Sequence, residues 1–158
     1  MSEVYSLVYQ PAPSEHVEPY HYNRVPVQQV NLIAGHGIEG DLKAGHNPNR
    51  QLNIMSYEVQ QELSAEGFKA APGELGEQIT LRGLDVRALS EGDRVQLGDT
   101  AVVEIVKPRT GCDWFELIQG KARADATNRL GMMARVIEGG VVKVGDPVRV
   151  VEAVEKTI

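Results

Sequence analysis

Glycine punctuates this chain. Sixteen glycines among 158 residues break it into short runs that are β-branched or alternate apolar with polar side chains. The runs 4–9, 25–33, 51–55, 78–81, 94–97, 101–106, 132–137, 141–144 and 148–151 read as strands, each stopped by Gly, Asp or Pro. Gly98-Asp99 and Gly139-Gly140 each divide two such runs, and glycine accepts the positive φ of a tight turn, so both are predicted hairpins. So many short strands predict a mainly β fold: a closed or partly open β-barrel with a few short helices. An internal echo supports closure. Gly92-Asp93-Arg94-Val95-Gln96-Leu97 resembles Gly145-Asp146-Pro147-Val148-Arg149-Val150, with Pro147 at a strand start where its missing N–H does no harm.

Helix is minor. Met55, Val59 and Leu63 form one apolar stripe, with Ser56 as its predicted cap and Gly67 as its end. A second short helix is predicted from Asp113 to Gln119, closed by Gly120 and docked by Trp114, Phe115, Leu117 and Ile118. The stretch 121–131 has alanines but no stripe and reads as a partly ordered loop or a short helix. His16, Pro19 and His21 fall in an early polar loop, and 154–158 is expected to fray.

Composition narrows the function classes. Residues 1–158 suit a single domain, at 42% hydrophobic and 24% charged. One cysteine rules out a disulfide scaffold and fits a reducing compartment. No secretory leader and no apolar run of membrane length are visible, so the expected location is cytoplasmic, with no membrane partner. A net charge of −6 argues against a nucleic-acid partner. The charge is uneven, however. From 107 to 135 there are six cations (Lys107, Arg109, Lys121, Arg123, Arg129, Arg135) against three anions (Asp113, Glu116, Asp125), a local +3. This basic stretch surrounds the lone cysteine, Cys112, and suggests a pocket for a small anionic ligand.

Cys112 is placed at a helix N-terminus, three residues after Arg109, and both features favour a thiolate. Thiolate is the form that attacks, carries sulfur and binds soft metals. The competing reading is a buried cysteine packed as a small hydrophobe. A second constellation runs from Gly35 to Asp41 and on from His46 to Gln51. Its glycine density suggests a loop fitted around a ligand, and it lacks the Gly-Lys-Ser/Thr ending of a nucleotide P-loop. Arg50 offers a planar fork for phosphate or carboxylate, and Asp41 either orients that fork or forms a structural pair with it. His36 and His46 are ten residues apart, wide for a chelate; each is a loop histidine, a metal ligand beside Cys112, or a base. Gln78, after the turn Pro72-Gly73-Glu74-Leu75-Gly76-Glu77, presents its amide to a ligand or to the backbone. Arg123 and Arg135 are further anion-holding candidates. Alternation makes at least one of Met132 and Met133 core.

In order and spacing these pieces resemble the MOSC family, named for the C-terminal domain of molybdenum cofactor sulfurase. The matching segments are Gly37-Ile38-Glu39-Gly40-Asp41, Arg50-Gln51, Pro72 to Glu77, Leu89-Ser90-Glu91-Gly92-Asp93, Gly98, Pro108-Arg109-Thr110-Gly111-Cys112, Gly131 to Val136, Gly140 and Gly145-Asp146, spanning about 4–151. The resemblance implies a β-barrel-like fold and matches Cys112 to the family's signature cysteine. That residue is proposed to carry sulfur as a persulfide or to ligate molybdenum of the pterin cofactor. Gln51 beside Arg50, with Asp41, Gln78, Arg123 and Arg135, then joins the candidate cofactor-binding set, and the arginines would hold the molybdopterin phosphate. Implied partners are a cysteine desulfurase as sulfur donor, since the chain has no room for a pyridoxal-phosphate domain, or a reductase. The readings left open are a sulfur carrier or molybdenum-cofactor-binding protein, a molybdenum-dependent reductase component for N-hydroxylated compounds, a non-catalytic anion-binding module, and, distantly, a cysteine-dependent lyase or hydrolase. Two positions depart from the family pattern: Gly111 stands where many members have Pro, and Gln78 where many have Asn.

Overall fold

The computed structural model describes residues 2–11, 24–42 and 44–153, apart from the side chain of Trp114. The early loop around His16, Pro19 and His21, the C-terminal end at 154–158 and the docking role of Trp114 lie outside those residues. The elements are β1 (Glu3–Tyr9), β2 (Val25–Val27), β3 (Gln29–Ile33), β4 (Gly37–Ile38), β5 (Leu52–Ser56), α1 (Tyr57–Ala65), β6 (Ile79–Arg82), β7 (Arg94–Leu97), β8 (Ala101–Pro108), α2 (Asp113–Gln119), β9 (Met132–Glu138), β10 (Gly140–Lys143) and β11 (Val148–Glu152). Short 3-10 turns cover Val86–Ala88 and Arg123–Ala126.

The fold is mainly β. Eight strands form one mixed sheet in the order β11-β7-β8-β9-β5-β6-β1-β2, and β10-β3-β4 form a second. Only the β5–β6 pair is parallel among the described residues, because α1 supplies the crossover between them. A closed barrel is not found. Instead β1, next to one end of the long sheet, meets the residue before β11 at the other end through an isolated bridge, Glu3 to Pro147, flanked by Val4 N–H to Asp146 O at 2.9 Å.

The sequence echo is a structural one. In both copies the Asp carboxylate accepts from the backbone N–H three residues earlier, Ser90 to Asp93 and Lys143 to Asp146, each at 2.8 Å. The two turns launch β7 and β11, which pair antiparallel.

Alternation is clean in β7 and β8, whose Val95, Leu97, Ala101, Val103 and Ile105 point into the main core. β5 is buried along its whole length because it is covered on both faces. Leu52 and Ile54 enter the sheet core, while Met55 joins Val59, Leu63, Phe68, Leu75, Phe115, Ala126 and Leu130 in a second cluster. That second cluster fastens both helices to the sheet; each fully buried large side chain in it stabilises the fold by roughly 1.5–3 kcal/mol.

Several local expectations are corrected. The run 25–33 splits at Gln28 into β2 and β3, which belong to different sheets. Gly139-Gly140 makes no hairpin: β10 pairs with β3. A Cβ on Gly139 would lie 2.7 Å from Leu32 O, and one on Gly140 2.1 Å from Thr100 Oγ1, so these glycines are needed for close passage between the sheets. Ser56 does not cap α1 with its side chain; its hydroxyl donates to Leu84 O (2.7 Å) and accepts from Val86 N (2.8 Å). In α2, Phe115 and Ile118 dock as expected, but Leu117 is 55% exposed.

Candidate functional site

The thiol sits on a glycine-made step. The β8–β9 ladder runs to Pro108 opposite Met132 and is continued by Arg109 N–H bonding Gly131 O at 2.9 Å. The chain then turns through Gly111 into α2. A Cβ at Gly111 would stand 2.9 Å from Arg123 Cβ, 3.1 Å from Phe115 and 3.2 Å from Leu130, so the departure from proline here has a steric reason. Cys112 is the N-cap residue. Its carbonyl accepts from Glu116 N–H at 3.1 Å, while its side chain makes no capping bond and is exposed. The packed-hydrophobe reading of this cysteine is thereby excluded.

Cys112 opens onto a cleft of about 530 Å³. One wall is the loop carrying His46, Asn47 and Arg50; the floor is Leu52, Asn53 and Gln78 with Met133; the opposite wall is Gly76, Arg24 and Arg109. Arg109 donates to Leu75 O and lies 5.8 Å from the Phe115 ring centroid. Gly76 is what admits it: a Cβ there would fall 2.5 Å from the guanidinium Nη2, and φ is +85°. Gln119, buried, braces this wall from behind. Its amide accepts from Lys69 N–H (2.6 Å) and donates to the carbonyls of Lys69 (2.9 Å) and Glu74 (3.1 Å), which ties α2 to the loop before Gly76.

The structure thus brings Cys112, Arg109, Arg50, His46 and Gln78 to one cleft and places the other candidates elsewhere. Gln78 uses its carbonyl oxygen on Asn53 N–H at 2.7 Å, at the floor. Gln51 is buried; it accepts from Val136 N–H (2.9 Å) and donates to Pro48 O (3.1 Å), so it anchors the Arg50 loop from behind. Asp41 is buried and accepts from Gln10 N–H at 2.7 Å, an anchor at the loop's other end. No ion pair joins Asp41 to Arg50 among the described residues. His36 lies against Gly45, whose added Cβ would be 2.9 Å from the imidazole Nδ1, and is not in the cleft lining. Among the described residues no cluster of His, Cys, Asp and Glu has the makings of a metal site.

Three of the six cations in the basic stretch meet carboxylates directly. Arg123 pairs with Asp113 (2.7 Å) and Glu116 (3.4 Å) around the start of α2. Arg129 is held by Glu66, and Arg135 by Glu104, which also binds Arg94 at 3.0 Å. Arg135 and then Arg94 hold the Glu104 carboxyl below the ordinary glutamate range. The arginines that line the cleft are Arg24, Arg50 and Arg109. Arg24 was not legible from sequence. It is one arginine beside a short strand, and only the β1–β2 pairing, Tyr9 opposite Val25, carries it to the cleft.

A protein-family model described as MOSC domain matches residues 41–149. Three solved structures are similar in fold. The YuaD protein from Bacillus subtilis has a TM-score of 0.73 and 22% identity, over 94% of this chain and 94% of that one. YiiM from Geobacillus stearothermophilus has 0.72 and 20%, over 96% and 76%. YiiM from Escherichia coli has 0.69 and 20%, over 96% and 71%. At these identities the likeness concerns the fold alone. No curated protein sequence matches this chain. None of its helices, among the described residues, is long and apolar enough to cross a membrane.

Proposed function

This chain belongs to the MOSC domain family, and from that premise we propose that it carries sulfur on Cys112 beside an anionic ligand held by Arg24, Arg50 and Arg109. The observation that supports this most is the exposed thiol sharing one cleft with three guanidinium groups. A thiolate there would attack the terminal sulfur of a donor persulfide. A new S–S bond forms at Cys112, the donor's S–S bond breaks, and the donor thiolate leaves with its electron pair, with no net oxidation. A cysteine desulfurase is the class of partner that supplies such a donor.

The donor set also fits molybdopterin: planar guanidinium forks suit its phosphate, and thiolate suits a soft metal. Arg50 and Arg109 would hold the phosphate with Arg24, and Cys112 would face the metal. When bound, the group would supply two-electron redox chemistry, which is what a reductase of N-hydroxylated compounds requires.

Intact mass spectrometry of gently purified protein tests the carrier reading. We expect an adduct of about 32 Da, one sulfur atom, that is removed by reductant and absent from Cys112→Ala protein. Uptake of sulfur by that variant from a persulfide donor would overturn it. Metal analysis of protein from a cofactor-competent host sorts the two arms. Molybdenum and pterin in equal amounts extend the reading to the reductase component; their absence confines it to sulfur carriage.

A further inference from the structure

The loop from Gly73 to Glu77 is one backbone thick, and charge lies on both sides of it. On the cleft side two arginines rest directly on its glycines. A Cβ on Gly73 would meet Arg24 Cβ at 3.0 Å, and one on Gly76 would meet the Arg109 guanidinium at 2.5 Å. On the inner side is the Glu77 carboxylate, only 1% exposed. Gly76 and Gln78 on either side of it line the cleft, whereas Glu77 turns inward toward α1. One carboxylate oxygen accepts from Gly73 N–H at 2.9 Å and from the Gln60 amide at 3.1 Å; the other is buried and takes no hydrogen bond among the described residues. A carboxylate this deep with a half-satisfied acceptor set is costly unless nearby cations stabilise it.

We infer that Glu77 is the buried counter-charge of Arg24 and Arg109, and that binding an anion in the cleft is coupled to proton uptake at Glu77. The inference rests on the proposal that the cleft holds an anion and adds how that site responds to pH. The physical reason is reciprocal. An anion on the two arginines cancels the field that keeps Glu77 ionised; a proton on Glu77 frees that field for the anion. Among the described residues, the charged groups facing Glu77 are Arg24, from the chain before β2, and Arg109, from the end of β8; α1 presents the neutral Gln60, which also bonds Thr80 of β6 at 3.0 Å. Burial pushes the Glu77 carboxyl above the ordinary glutamate range, against the opposing pull of Gly73 N–H, Arg24 and Arg109. The sign follows: the anion binds more tightly as pH falls, by no more than about tenfold per pH unit for one coupled proton. Glu77 is a positioning residue, since its carboxylate faces α1 and does not line the cleft.

Sulfate is the probe, because its own charge does not change over the range. His46 and Cys112 line the same cleft, so all proteins carry His46→Gln and Cys112→Ser. In that background calorimetric affinity should tighten about five- to tenfold from roughly pH 8 to roughly pH 5. Adding Glu77→Gln, which mimics the protonated acid, should flatten the profile at its tight limit. Glu77→Asp should keep the slope. As a readout that needs no substitution at Glu77, its carboxyl ¹³C resonance should titrate at higher pH when sulfate is present. An unchanged slope in the Glu77→Gln protein, or a carboxyl resonance indifferent to sulfate, would overturn the coupling and leave the anion reading standing. Absence of sulfate binding at every pH would overturn the anion reading, and the coupling with it.

Discussion

Two sets of arginines in this protein differ in what answers their charge. Arg123, Arg129 and Arg135 each meet a carboxylate directly, at the start of α2, on the helix-end loop and on the sheet face. Arg24, Arg50 and Arg109 surround an exposed thiol, and the carboxylate near two of them lies behind a loop. In the sequence the two sets overlap, because Arg109 of the second lies in the same basic stretch around Cys112 as all of the first. It is the second set that lines the cleft beside Cys112. A count of cations locates a basic segment; only the position of the anions tells whether that segment has an open field.

Substitutions can break this contrast. The largest effect belongs to the thiol, for Cys112→Ser should abolish the sulfur adduct completely in intact mass spectra while leaving the melting temperature unchanged, since the side chain is exposed and caps nothing. Next is the contrast itself. Gly76→Ala would drive a methyl into the Arg109 guanidinium at a position with φ of +85°. It should cost about 2 kcal/mol in urea denaturation and should weaken sulfate binding as Arg109 is displaced. Arg50→Ala removes an exposed fork and should weaken sulfate about tenfold, whereas Arg135→Ala should leave it within about twofold. Equal losses for the two arginines would erase the distinction between the sets.

The smallest effect is a pH signature of the paired set. Arg135 and Arg94 lower the Glu104 carboxyl, so their contribution is present above the unfolded glutamate value, about 4.3, and fades as pH falls through the lower folded value. Glu104→Gln should therefore cost about 1 kcal/mol near neutral pH and nearly nothing in acid, measured by denaturant titration at both.

Much of the site was visible in the residue order. Cys112, Arg109, Arg50, His46 and Gln78, each named from its segment of the sequence, line one cleft. What was misplaced has a common cause. Gln51 and Asp41 sit beside a ligand-facing residue and a glycine in sequence, yet their side chains turn inward and satisfy backbone N–H groups of β9 and of the chain after β1. Neighbours along a chain share a segment but face opposite sides of it. Glu77 is hidden in the sequence for the same reason, one residue from Gln78 and on the other face.

The strands, the helix ends at Gly67 and Gly120, and the paired Gly-Asp turns follow from local rules, because alternation and positive φ act over a few residues. Tertiary structure alone decided which strands pair, sending β10 to β3 where a hairpin with β9 was expected, since either partner satisfies the same hydrogen bonds. It also decided the cleft's charge. Arg24 arrives there by strand pairing and Arg135 is taken away by Glu104, because Coulomb attraction acts through space and takes no account of sequence distance.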